Sequence, residues 1–138
     1  MDKAALVGLL GVDIEGGARL LKALDKAGFD IHAALWIYLP DPEEWRLMIA
    51  SPLVDQEGPK KAYILIQSEL AKLTPPSEIS LKNISAVGLE HRLIKALQGM
   101  VQVHRDFDSK GAWISNSSSY NIFIEAAYIY RMSKSRTE

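Results

Sequence analysis

Leu20, Leu21, Leu24 and Ala27 recur at steps of one, three and three residues, which places them on one face of a helix. Asp13 stands before this stretch as its capping residue, and Gly16-Gly17 weaken its first turn. Gly28 sits where a residue of left-handed conformation closes a helix, and Phe29 is placed to fold back on the last turn. Residues 31–39 and 45–51 are β-rich and apolar, and Pro40-Asp41-Pro42-Glu43 between them is turn chemistry, so the pair reads as a hairpin. Gly58-Pro59 opens a further helix lined by Tyr63, Ile66, Leu70 and Leu73, and Thr74-Pro75-Pro76 stops it. Residues 79–87 read as a strand. A helix over residues 89–104 carries Leu89, Leu93, Leu97, Met100, Val101 and His104 near one face, and Gly99 weakens it. The stretch 111–131 reads as a final hairpin with Asn116-Ser117-Ser118-Ser119 in its loop, and residues 122–131 are apolar on both faces. Residues 2–10 read as a short helix ahead of Gly11.

The order α-β-β-α-β-α-β-β mixes hairpins with helical crossovers. It predicts an α/β protein of the α+β type, with a mixed sheet of about five strands and helices packed on it. Residues 1–138 make one domain, with 1–12 as a loosely attached helix and 132–138 as a frayed tail.

The first hairpin admits two registers. A four-residue loop at 40–43 pairs Tyr38 with Trp45, Trp36 with Leu47 and Ala34 with Ile49. A five-residue loop at 40–44 pairs Leu39 with Trp45, Ile37 with Leu47 and Leu35 with Ile49. A slip of one residue exchanges the faces of a strand. The second register segregates an aliphatic face from one bearing Trp36, Tyr38, Arg46 and Met48, and is preferred for that reason. Aromatic residues, Arg and Met are enriched where proteins meet, so these four form the expected interface. The alternative is that a helix of the same chain covers them.

Composition narrows the chemistry. Sixteen basic and 17 acidic residues leave a net charge of −1, so there is no basic excess of the kind that neutralises a phosphate backbone, and nucleic acid is not the expected partner. The chain has no cysteine, which removes disulfides, thiolate catalysis and Cys-based zinc sites and points to a cytoplasmic protein. The apolar run 4–12 is too short to span a bilayer, so no membrane role is expected. The glycosylation triplets at Asn83 and Asn116 are taken as chance.

Candidate catalytic residues are sparse. His104-Arg105-Asp106 spells a kinase catalytic-loop tripeptide, but the glycine-rich loop and the metal-binding Asp-Phe-Gly are missing. His91 and His104 point to different sides of one helix and cannot clip a metal. Glu125 lies in an apolar run, on a face with Phe123, Ala127 and Ile129. A carboxylate so placed suits a general acid, but a charge that guards an edge strand is the favoured reading, since no second carboxylate or nucleophile is paired with it in the sequence. No metal site and no cofactor is implied. Gly8, Gly11 and Gly16-Gly17 match neither a dinucleotide fingerprint nor a phosphate loop.

Residues 24–29 leading into 34–38, residues 50–55 and residues 124–131 resemble stretches of small uncharacterised bacterial proteins. The resemblance implies a bacterial single-domain protein and assigns no activity. Together these observations favour a non-catalytic protein-binding or assembly module acting as a homodimer. The alternatives are a small metal-independent hydrolase or nuclease using His91, His104, Arg105, Asp106 and Glu125, and a regulatory protein that binds a small ligand between sheet and helices.

Overall fold

A computed structural model describes residues 12–101, 111–119 and 121–133. In chain order these form α1 (Ile14–Lys26), β1 (Ala33–Leu39), β2 (Glu44–Ala50), α2 (Pro52–Glu57), α3 (Pro59–Ala71), a 3-10 turn (Leu81–Asn83), β3 (Ile84–Val87), α4 (Arg92–Gln98), β4 (Ala112–Ser119) and β5 (Ile122–Met132). One five-stranded sheet has the order β3-β2-β1-β5-β4. Its neighbours are antiparallel except β2 and β3, which run parallel and are joined through α2 and α3. This is the α+β class with a mixed sheet that the hydrophobic pattern predicts.

The central strands are buried on both faces, which is why they read as continuous apolar runs rather than as alternation. On one face Ala34, Trp36, Tyr38, Leu47 and Ile49 pack under Leu20, Leu21 and Leu24 of α1 and Ala62 and Ile66 of α3. On the other, Ala33, Leu35, Ile37 and Met48 meet Ile94 and Leu97 of α4.

The ends of α1 follow the sequence closely. Asp13 accepts a hydrogen bond from the Gly16 amide at 2.8 Å through one carboxylate oxygen, and from the Ser77 hydroxyl at 2.9 Å through the other. Gly28 adopts φ 88°, and the Phe29 amide donates back to the Leu24 carbonyl at 2.9 Å. Gly17 has a further reason to lack a side chain, because a Cβ there would collide with the Tyr130 hydroxyl. That hydroxyl is a buried junction. It accepts from Trp36 Nε1 at 2.9 Å and donates to the Ile14 carbonyl at 2.7 Å, so it ties the start of α1 to the sheet.

Tyr130 shares its face with Tyr128 by strand alternation, and a bulge brings Arg131 to the same side. Ala34 pairs with Arg131 but Leu35 pairs with Ile129, so β5 carries one residue more than β1. Tyr130 and Arg131 thereby both address the α1 side. Arg131 meets Asp25 at 3.1 Å and donates to the Ile31 carbonyl at 3.0 Å. Met132 then returns to the α4 side.

Several expectations change. The first hairpin adopts the four-residue loop, pairing Tyr38 with Trp45, Trp36 with Leu47 and Ala34 with Ile49, not the preferred five-residue register. Burial on both faces removes the assumption that aromatic and aliphatic residues must segregate. Asn116, Ser117, Ser118 and Ser119 lie within β4 rather than in a loop, and Ser119 pairs with Ile122. The expected strand over 79–87 is extended and paired only at Ile84–Val87. Residues 52–57 form a short helix that the pattern did not announce, with the buried Ser51 hydroxyl accepting from the Leu53 amide at 3.1 Å. Helix α4 ends at Gln98, ahead of Gly99, as the weakness of glycine in a helix allows. Met132 is fully buried and the Ser133 amide donates to the His32 carbonyl at 3.0 Å, so neither belongs to a frayed tail. The helix expected at 2–10 lies outside the described residues.

Candidate interaction surface

Trp36, Tyr38, Arg46 and Met48 do not share a face. Trp36 and Tyr38 point towards α1 and α3, whereas Met48 points towards α4, and all three are at most 5% exposed. Arg46 is tied down within the chain. Its guanidinium meets Glu44 at 2.6 Å and donates to the Ser85 hydroxyl at 3.2 Å and the Lys82 carbonyl at 3.3 Å. The register makes this split, and the chain's own helices cover the aromatic pair.

Of the candidate catalytic residues, His91 and Glu125 are described, and they stand on different elements. His91 caps α4, accepting from the Leu93 amide at 3.2 Å through Nδ1, and it bonds no carboxylate among the described residues. Partial burial lowers its pKa from 6.5, because the protonated ring is less well solvated there. Glu125 is half-buried in β5, between the Ser115–Ala126 and Ser117–Ile124 pairs. His104, Arg105 and Asp106 lie outside the described residues. His32 stands 3.2 Å from Asp30 at the start of β1. Among the described residues no group of three or more histidines and carboxylates is placed to hold a metal. No described helix is long and apolar enough to cross a membrane.

The exposed apolar side chains lie elsewhere. Among the described residues, Trp113 is 53% exposed, Phe123 62% and Ile64 59%. Trp113 and Phe123 belong to the β4–β5 hairpin, at the end of the sheet where β4 has no described strand beyond it. Trp113 also stands in the middle of a row of rings. Tyr38 lies 5.7 Å from Trp45, Trp45 6.2 Å from Trp113, Trp113 5.0 Å from Tyr128, and Tyr128 5.1 Å from Tyr130. Trp113 meets both of its neighbours edge to face, a geometry worth about 0.5–1.5 kcal/mol per pair beyond the area buried. The row holds this indole rigidly while leaving half of it in solvent, and a pre-ordered ring loses little entropy when something covers it.

The backbone of β4 completes the surface. Ala112–Ser119 contains neither charge nor proline, and Ser115, Asn116 and Ser118 are exposed. Asn116 has φ 49°, which interrupts the extended run, and the Ser117 hydroxyl bonds the Ser115 carbonyl at 3.1 Å beside it. Residues 112–115 therefore form the regular part of the edge.

These features were missed in the sequence because the serine run reads as a loop. The usable signal was an uncharged segment placed between Trp113 and Phe123.

No protein-family model, no curated protein and no solved structure matches this chain. The resemblance to small bacterial proteins gains no support from these comparisons.

Proposed function

We propose that this chain is a non-catalytic protein-binding or assembly module that acts as a homodimer, through the end of the sheet formed by β4 and β5. The observation that carries the reading is the rigid, half-exposed Trp113 beside an uncharged edge strand, with Phe123 exposed on the neighbouring strand. Exposed aromatic anchors of this kind supply the central contacts of interfaces. The absence of cysteine supports a cytoplasmic setting.

Light scattering on purified protein tests it. The expected mass is twice 15.3 kDa, and Phe123→Ser, which removes an exposed ring, shifts the species towards monomer. A monomer at about 100 μM, where even a micromolar complex is mostly formed, overturns the proposal.

A further inference from the structure

Resting on that reading, we infer that β4 pairs antiparallel with β4 of a second copy, about a two-fold axis within residues 112–115, so that two five-stranded sheets become one. An edge strand presents unpaired amides and carbonyls, which a second strand can take up in register. The partner is a second copy because the strand is complementary to itself. In an antiparallel pair about a two-fold, each residue meets a counterpart from the same short segment. Like charges opposite one another destabilise such a pair, and β4 has none along its eight residues. An acidic or basic partner segment would find no opposite charge on this strand to select it.

The position of the axis follows from the backbone. Asn116 leaves the extended region at φ 49°, and the Ser117 hydroxyl already occupies the Ser115 carbonyl. Pairing therefore centres before Asn116. That places Trp113 next to the axis, where the two copies bring their half-exposed indoles close together and cover each other.

Because the chain lacks cysteine, each single Cys variant can cross-link only to its own copy. Ala112→Cys, Trp113→Cys, Ile114→Cys, Ser115→Cys, Ser117→Cys and Ser118→Cys are oxidised with copper–phenanthroline, with Ile64→Cys as an exposed control far from the edge. Moving one residue from the axis separates counterparts by about 7 Å more, while a disulfide spans Cα atoms about 4.4–6.8 Å apart. The expected result is a covalent dimer forming at least about tenfold faster at position 113 or 114, the positions beside the axis, than at 118 or 64. A flat profile, or a maximum at 117 or 118, overturns the pairing. Ser115→Lys, which keeps the exposed side chain polar, guards against a misfolded cysteine variant: the pairing requires it to weaken the dimer. If wild-type protein scatters as a dimer but no position in β4 cross-links above the control, the strand pairing falls while self-association stands. If wild-type protein is monomeric, both fall.

Discussion

The two edges of this sheet are built differently. At one end β3 has four residues and runs parallel to β2. Its Ala86 amide donates to the Tyr63 hydroxyl of α3 at 3.0 Å, and Arg46 reaches across to Ser85 and Lys82. A short strand whose amide is taken by a side chain, with a cation beside it, is a closed edge. At the other end β4 has eight residues, no charge, and a half-exposed tryptophan. The contrast teaches that guarding an edge is a local matter of a few side chains. A strand left without that protection, next to a rigid aromatic, has the properties of a contact surface.

The comparison can be broken most directly by charging the open edge. Ser115→Lys with Ser118→Lys is expected to weaken self-association by roughly two- to thirtyfold, taking two like-charge interactions of about 0.2–1 kcal/mol each. Sedimentation at several concentrations reads this, while circular dichroism should show the fold unchanged.

Tyr130→Phe separates fold stability from assembly. It strips the partner from the buried Trp36 N–H and from the Ile14 carbonyl, at about 1–3 kcal/mol in urea unfolding. The dimer should survive at protein concentrations where the variant remains folded. The same residue sets an alkaline limit. Burial raises its pKa well above the ordinary 10.0, an effect the Trp36 hydrogen bond only partly offsets. The folded state thus favours the protonated hydroxyl. Its contribution is complete below pH 10.0 and is lost as the unfolded chain ionises above it. The variant should lose that part of the alkaline slope.

Opening the closed edge is a milder test. Tyr63→Phe leaves the Ala86 amide without its acceptor and should cost about 1 kcal/mol in thermal or urea unfolding. No new association is expected, because four residues give too short a ladder. The smallest effect concerns α4. His91→Ala removes its cap, at about 0.5–1 kcal/mol, whereas His91→Asn keeps an acceptor. Burial lowers the pKa of His91, so its contribution is present above pH 6.5 and lost as pH falls through the folded-state value. Both variants should remove that acid-side slope.

Much of the fold was legible in local chemistry. Asp13, Gly28 and Phe29 marked the ends of α1, and the turn at residues 40–43 marked the hairpin, because capping and turn geometry depend on adjacent residues. The register of that hairpin was not legible. It depends on both faces being covered, one by α1 and α3 and the other by α4, and the sequence pattern of β1 alone is compatible with either face. The bulge that puts Arg131 on the same side as Tyr130 is likewise a property of two paired strands. The candidate surface was hidden for a third reason. Serine and asparagine favour turns, and β4 is held as a strand by its pairing with β5 rather than by its own propensity. Trp36 and Tyr38 drew attention as interface residues by type, while their burial is a tertiary outcome.

Hydrogen exchange of the β4 amides as a function of protein concentration tests the central claim most directly. A strand that meets its own copy should exchange slowly at residues 112–115 when the protein is concentrated and fast when it is dilute, with the β3 amides unchanged. Equal exchange at both concentrations, under conditions where light scattering reports a dimer, would contradict the account.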